Sequence, residues 1–429
     1  QNANFDVPHI RRWVDIDDRP MDKFWDTLIV ERILYNGYYD DFDLAAMSRR
    51  YLKTLLKKEI RKGFYDEGAA VTNEMIKYGA MDAYATRHIA PLQMAILDQN
   101  PDSKKVWEWI DGPAFWAIQA QKGFKLNLNK WDALADKNVA IALEIKESLG
   151  FNPASPKQTL NALRENGIYV TSTGAEILVH YRENKLVQRI LEFRKAQKLA
   201  TTYGRNFHDV VEDDGRIYTD IAVNKAITGR TASSGPNLQN QPHDPEFRAC
   251  YEADKGNVIV KVDFSSQEPR ISAILSQDTN LLDIFSTGKD LYLTVARAVF
   301  KNPTLKFSSK EDPLRRRAKA VTLGTNYGLQ PEGLAEREEM PLEEAQTLIN
   351  NYLSWLSGLS SWMRRTQTEA AKNEYVKTPG GRTVHINPYM KNWANVAINS
   401  PIQGGGADQI KRAMIRIYER TGRKKYPVI

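Results

Sequence analysis

The chain has 429 residues, 42% of them hydrophobic and 26% charged, the composition of a globular protein too long for one core, with about two to four domains. A single cysteine, Cys250, excludes an intramolecular disulfide and a CxxC metal site, and no window approaches the run of about 18 apolar residues that spans a bilayer. Sixty Lys and Arg against 53 Asp and Glu leave a charge of +7, a modest bias toward a polyanionic partner.

Taken in chain order, the first stretch, QNANFDVPHIRRW, carries neither an initiator Met nor a signal-like apolar run, so the sequence reads as one entered partway through. Residues 1 to about 100 read as mixed α/β ending in helices: FWDTLIVERIL (24–34), DLAAMSRRYLKTLLKKEIRK (43–62) and NEMIKYGAMDAYATRHIAPLQMAILDQ (73–99) all place apolar residues three and four apart. NPDS (100–103) signals a turn or linker. Long helical patterns follow to about 210, broken by GFNPASPKQ (150–158) and NGIYVTSTG (166–174). After 215 the pattern shortens: GRIYTDIAVN alternates like a strand, RTASSGPNLQNQPHDP is a loop, and NVIVKVDF is a buried-strand candidate. Helices return through LLDIFST, LYLTVARAVF, RRRAKAVTLGTNYG, LEEAQTLINNYLSWLSGLSSWMRRTQTEAAKN and ADQIKRAMIRIYER. The expected order is an α/β unit, a helical unit, then a strand-containing platform with a large helical insertion.

Four stretches invite a chemical reading. In VIVKVDFSSQEPRI (258–271) Asp263 ends an apolar run, where a carboxylate held at the end of a strand can meet a divalent cation, with Glu268 and Arg270 on a helix start. The plainer reading is a strand followed by a helix that favours Ser and Glu at its first turn. In RRRAKAVTLGTNYG a helix aligns Arg315, Lys319, Leu323 and Tyr327 four apart, each step turning the face by about 40°. Two cations, an apolar residue and a tyrosine can grip phosphates at one end and pack a flat base or sugar at the other; a solvated basic face has no reason to end in G-x-x-Y-G. TGRTASSGPNLQNQP (228–242) supplies Arg230, Asn237, Gln239 and Asn240, donors suited to sugar edges and minor-groove acceptors, or is an ordinary polar loop. NSPIQGGGADQIKRA (399–413) sets Asn399 and Gln403 before three glycines and a helix, where backbone can approach a ligand closely.

Together, TGR…PNLQNQP, VDFSSQEPR, RRRAKAVTLGTNYG and AINSPIQGGGADQIKRAM resemble the successive polymerase signatures of family A DNA polymerases, the bacterial DNA polymerase I class, in order and at near-family spacing. FNPASPKQTLNAL…STGAEIL…ILEFRKAQKLATTYG is similar to that family's thumb, and the DFSSQEPR wording is closer to phage members than to the DYSQIELR of bacteria. NANFD (2–6) and YGAMD (78–82) resemble the second and third motifs of the family's exonuclease domain.

The resemblance implies an α/β multi-domain fold: a right-hand polymerase of palm, fingers and thumb, preceded by the C-terminal part of a ribonuclease H-like 3′–5′ exonuclease domain. The expected boundaries are a partial exonuclease domain over 1–103, thumb and start of the palm over 104–214, palm over 215–275, fingers over 276–395 and an incomplete palm over 396–429. It implies template-directed DNA synthesis on primer-template DNA from deoxynucleoside triphosphates, with replication accessory proteins as further partners, no membrane, and a cytoplasmic site in a bacterium or phage-infected host, organellar targeting staying open.

Two Mg²⁺ ions per active site are implied, Mn²⁺ being an alternative, with Asp263 bridging both and the Phe264 carbonyl an extra ligand. Glu268 would be the steric gate against a ribose 2′-hydroxyl. Arg315 and Lys319 would hold the triphosphate, and Tyr327 would pack at the templating position. Arg230, Asn237, Gln239, Asn240, Asn399 and Gln403 would face DNA; Lys195, Lys198 and Tyr203 are thumb candidates for phosphate contacts. In the exonuclease domain Asp6 and Asp82 would be catalytic carboxylates binding metal, with Tyr78 beside them. Leu323 stands where the family usually has Phe or Tyr, Tyr292 where bacterial members carry a His, and Ser266 and Gln267 depart from the usual order.

Two elements of the pattern are not found. The D-x-E motif expected upstream of NANFD is not in the sequence, and the second palm carboxylate, in a His-Asp-Glu turn, is expected on the strand that KKYPVI begins. Asp408 and Glu419, on the preceding helix, read as helix-surface or capping residues. The competing readings are a catalytically incomplete DNA-binding part of a split polymerase and a single-subunit RNA polymerase, against which Glu268 and the exonuclease motifs argue.

Overall fold

The computed structural model describes every residue except 12, 14–23, 57–58, 61–69, 122, 243, 311 and 422–429. The helices over 1–121 are α1 (Ala3–Ile10), α2 (Thr27–Tyr35), α3 (Leu44–Leu52), α4 (Asn73–Asp98), α5 (Pro101–Val106) and α6 (Gly112–Gln119), with a π-helical turn at Trp107–Asp111. Short strands β1 (Phe124–Leu126), β2 (Arg216–Ile217), β3 (Asp220–Ala222), β4 (Ala232–Ser234) and β5 (Tyr251–Glu252) flank α7 (Leu128–Leu149), α8 (Pro156–Glu165), α9 (Ala175–Leu178), α10 (Lys185–Thr202) and α11 (Pro245–Arg248). Then come α12 (Gln267–Ser276), α13 (Thr279–Thr287), α14 (Leu291–Val299), α15 (Pro313–Asn326), α16 (Pro331–Glu338), α17 (Leu342–Trp355), α18 (Ser357–Asn373), the hairpin strands β6 (Tyr375–Lys377) and β7 (Thr383–His385), and α19 (Trp393–Arg420).

Most of these starts are written locally. Asp26, Asp43, Asn127, Asn184, Asp290 and Asp312 each turn a side-chain oxygen onto first-turn amides, and proline fills the first helical position of α5, α8, α15 and α16. Asp278 does this twice: Oδ1 caps α13 through the amides of Asn280 and Leu281, and Oδ2 takes the amides of Gly358 and Leu359 at the start of α18. That second cap interrupts what reads in sequence as one helix over 342–373, and Gly358 is needed there because a Cβ would lie 2.8 Å from the Asp278 Cα.

The chain forms two compact units, Gln1–Gln121 with Ile221–Ala232 and Phe264–Val428, and Lys122–Asp220 with Ser233–Asp263. In the first, the largest core joins α12 through α19 around Val295, Val321, Tyr352, Leu359 and Ile402; a second gathers Ile33, Trp107, Phe115, Val223 and Ile415. In the second unit α7 packs along α10, and Trp131, fully buried, stacks on Phe207 at 4.5 Å while its indole N–H donates to the Gly204 carbonyl at 3.1 Å. β1 lies between β2 and β5, antiparallel to both.

Several expectations are corrected. Among the described residues of 1–103 there is no strand, only helices, so the mixed α/β character expected there is not seen. The helix expected over 43–62 stops at Leu52: Lys53 turns left-handed, and its amide bonds back to Ser48. NPDS is a helix start rather than a linker, with Pro101 at the first helical position, where its missing N–H costs nothing. The largest difference is NVIVKVDF. Residues 257–264 form no strand, and Val258, Val260 and Val262 are 81%, 76% and 84% exposed. A strand is held by its neighbours' N–H and C=O groups, and no described segment pairs with this one. KKYPVI lies outside the described residues.

Candidate nucleotide and nucleic-acid site

The predicted stripe on α15 is present. Asp312 caps the helix and Pro313 starts it, so Arg315 falls in the first turn, Lys319 is exposed one turn on, Leu323 is half-buried and Tyr327 closes the C-terminus. The Arg315 guanidinium lies 5.0 Å over the Tyr292 ring, a cation–π contact that fixes its direction while leaving its N–H fork available. The G-x-x-Y-G ending has a structural cause. Gly328 takes φ +73°, the Leu329 amide bonds back to the Gly324 carbonyl at 2.8 Å and the Gly328 amide to Thr325 at 2.9 Å. A Cβ on Gly324 would sit 2.5 Å from Leu329. The two glycines let the chain reverse sharply and leave Tyr327 projecting from the helix end.

The Tyr327 hydroxyl donates to the Glu268 carboxylate on the first turn of α12. Burial raises the Glu268 carboxyl above its ordinary range, and the charge of Arg230 partly offsets this, which places Arg230 in electrostatic reach. Asn399, on α19, donates to the Tyr327 carbonyl at 3.2 Å, and its own carbonyl oxygen is buried without a hydrogen-bond partner. Gln403 lies one helical turn further along, half-buried. Within the first unit the structure therefore brings together Glu268, Tyr327, Asn399 and Arg230, with Arg315, Lys319, Leu323 and Tyr292 along α15 and α14.

Ser266 does not cap α12; it adopts a left-handed conformation with no side-chain capping bond, and Gln267 instead donates to the Gly406 carbonyl at 3.2 Å. The three glycines after Gln403 also differ from expectation. They lie inside α19 and are buried, and what they approach is protein: Cβ atoms on Gly404, Gly405 and Gly406 would lie 2.4 Å from Thr378, 3.1 Å from Pro379 and 3.0 Å from Gln267. A cleft of about 400 Å³ opens beside this stretch, between Gly405, Gln409, Arg412 and Arg416, with Phe264 at its edge.

In the second unit, Asp263 is exposed at the end of the unpaired stretch. The Asn237 side chain takes the Gln239 amide at 3.0 Å, the Gln239 carbonyl oxygen takes the Ser233 amide at 3.1 Å, and the Asn240 carbonyl accepts the Tyr203 hydroxyl. These side chains shape their own loop. Tyr203 is a core residue against Trp131 rather than a surface phosphate contact, whereas Lys195 and Lys198 are exposed on α10.

Asp6, on α1, is half-buried, and burial raises its carboxyl above the ordinary range; Tyr78 and Asp82 share a face of α4. Among the described residues no group of three or more His, Cys, Asp or Glu side chains is placed to hold a metal. A two-metal centre asks for paired carboxylates, so the described donors around Asp263 do not fit one, and no step through magnesium follows from them.

The sequence model of DNA polymerase family A matches residues 128–428. DNA polymerase I of Aquifex aeolicus is 32% identical over 99% of this chain and 77% of its own length. The chain belongs to DNA polymerase family A. The thermostable DNA polymerase I of Thermus aquaticus is 33% identical over 58% of this chain, and DNA polymerase I of Pseudomonas aeruginosa 33% identical over 66%. The matched regions span only 31% and 34% of those two relatives. The fold is that of the family's palm, fingers and thumb: the POL domain of Pol1 from M. smegmatis, in complex with DNA primer-template and dNTP, superposes with a TM-score of 0.77 at 26% identity, covering 92% of this chain and 71% of that one. Members of the family are generally dependent on divalent metal ions.

Within this family member, sequence reasoning missed the charged cluster that holds the TGR loop. Asp408, expected on the helix surface, is only 3% exposed, bonded to Arg382 at 2.8 Å and to the Thr378 hydroxyl at 2.8 Å. Asp111, Arg382 and Lys411 complete the cluster, all essentially buried. The only sequence signal is Asp408 and Lys411 three apart on a helix face otherwise apolar at Ile415.

Proposed function

We propose that the chain acts in template-directed DNA synthesis, adding a deoxynucleotide to a primer 3′-hydroxyl. The observation that carries this is the convergence of a cationic helix stripe, ending in Tyr327, on the half-buried Glu268 carboxylate, with Arg230 in electrostatic reach. Arg315 and Lys319 are the charge-assisted donors for a triphosphate. Leu323 packs below the sugar, and Glu268, held by Tyr327, fills the space a 2′-hydroxyl would need. Arg230, Asn399 and Gln403 present donors to the acceptors that every base pair shows in the minor groove, so they check geometry without reading sequence.

The family membership and the likeness to a polymerase domain in complex with primer-template and dNTP support this reading. Asp263 would be one carboxylate of a metal centre; the segment on which the second is expected begins at KKYPVI, outside the described residues. For residues 1–103 the exonuclease reading rests on NANFD and YGAMD alone, and we assign no hydrolytic step to Asp6, Tyr78 or Asp82.

The test is equilibrium binding by fluorescence anisotropy. The chain is expected to bind labelled primer-template, to retain it better when the matching dNTP is added, and to lose that dNTP effect in Arg315→Ala and Lys319→Ala. Equal response to dNTP and to the matching ribonucleotide triphosphate would count against Glu268 as the gate. No primer-template binding at all would overturn the reading.

A further inference from the structure

The segment Asn224–Arg230 carries the TGR turn, and its backbone is held from several directions. Asn36 donates through Nδ2 to the carbonyls of Ala226 and Ile227, both at 3.0 Å. Asn224 donates to the Ile29 carbonyl at 3.0 Å and to the Asp111 carboxylate at 2.9 Å. Lys411, from α19, donates to the Gly229 carbonyl at 2.7 Å and to Asp111 at 2.6 Å. Arg382, from the β6–β7 turn, forks onto both Asp111 oxygens at 2.8 and 2.7 Å and reaches Asp408 with its other face. Gly229, at φ +79°, rests directly on that guanidinium: a Cβ there would lie 2.3 Å from the Arg382 Nε. The next residue, Arg230, is exposed.

We propose that Asp111, Arg382 and Lys411 are positioning residues for Arg230, a buried ion cluster that fixes the Gly229 carbonyl and so aims the Arg230 guanidinium at the primer-template. The inference rests on the reading of Arg230 as a DNA contact. Two acids and two bases are taken out of water here, and in such a cluster the Coulombic gain roughly offsets the cost of desolvation. Apolar side chains of the same volume would fill the space; they would not hold a backbone carbonyl in place. All three are buried, and their side-chain bonds run to one another, to Asn224 and Asp408, and to the Gly229 carbonyl.

The groups facing Lys411 are Asp111, Arg382 and Asp408. Burial depresses the Lys411 ammonium to about 8, with Arg382 adding to the depression and the two carboxylates opposing it. The charged form is therefore present below about 8 and lost above, where the hold on Gly229 weakens.

The test is a mutant cycle on primer-template affinity with the whole chain, with the folded state checked by circular dichroism. Arg230→Ala is expected to weaken binding about tenfold, the loss of one charge-assisted contact. Lys411→Met is expected to weaken it several-fold, and the double variant to be no worse than Arg230→Ala. Lys411→Gln, which keeps a donor for the Gly229 carbonyl, is expected to recover most of the loss. Multiplying effects, or an unaltered affinity in Lys411→Met while Arg230→Ala is weak, would overturn the positioning role alone. An Arg230→Ala chain that binds normally would overturn the DNA-contact reading and this inference with it. Where Lys411→Met fails to fold, affinity against pH decides: the natural chain is expected to lose affinity with a midpoint near 8 that Lys411→Gln lacks, and parallel profiles would refute the role.

Discussion

The buried Gly404 of α19 and the exposed Gly79 of α4 allow a sharp test, because the same substitution should have opposite signs at the two positions. At Gly404 an added Cβ would meet the Thr378 Cγ2 at 2.4 Å and the Thr228 carbonyl at 2.9 Å. Neither neighbour can yield easily: Thr378 is β-branched and tied through its hydroxyl to Asp408, and Thr228 is backbone in the clamped TGR segment. Overpacking of this kind costs about 3 kcal/mol at its upper range. Replacing Gly by Ala inside a helix returns about 1 kcal/mol, so Gly404→Ala should destabilise by about 2 kcal/mol. At Gly79, exposed in α4, a Cβ would meet nothing within 4 Å, and only the helix-propensity gain remains, so Gly79→Ala should stabilise by roughly 0.5 to 1 kcal/mol. Urea unfolding followed by circular dichroism measures both against the natural chain. A neutral or stabilising Gly404→Ala would refute the argument that α19 is packed through its glycines against the TGR loop.

Trp131→Ala removes a fully buried indole from the second unit's core and should cost about 3 to 5 kcal/mol, read as an early loss of the α7 and α10 region in hydrogen exchange. Asp111→Asn strips the cluster of a carboxylate and should destabilise by about 3 kcal/mol or more in urea. The acid side of the stability profile checks the same residue. Burial alone would raise the Asp111 carboxyl, but Arg382 and Lys411 outweigh it and hold it at about 2 against an ordinary 3.8. The folded state thus takes up this proton later than the unfolded one; the contribution is complete above 3.8, falls away as pH drops toward 2, and should be missing from Asp111→Asn. Arg315→Ala should free the Tyr292 ring and weaken triphosphate binding about tenfold, measured by dNTP titration of the primer-template complex.

What the sequence makes legible is local. The apolar period of α4 and the α15 stripe depend on residues within a turn of one another, and the structure has both where the pattern places them. What it hides is what depends on distant partners. NVIVKVDF has the composition of a buried strand, yet a strand exists only with a neighbour, and the described residues supply none. The three glycines look like a ligand approach until Thr378, Pro379 and Gln267 are found against them. Asp408 looks like a surface acid because Arg382, its partner, lies 26 residues upstream, and Asp111 is further still, 271 residues from Arg382.

The central claim is deoxynucleotide addition directed by a template at the Glu268–Tyr327 site. It is tested most directly by single-nucleotide extension of a labelled primer with Mg²⁺, opposite a template T, comparing dATP, ATP and dCTP in the natural chain and in Glu268→Ala. Extension with dATP, little with ATP or dCTP, and a selective gain of ATP use in Glu268→Ala is the predicted result. Extension that ignores the template base, or ATP use that Glu268→Ala leaves unchanged, would contradict the account.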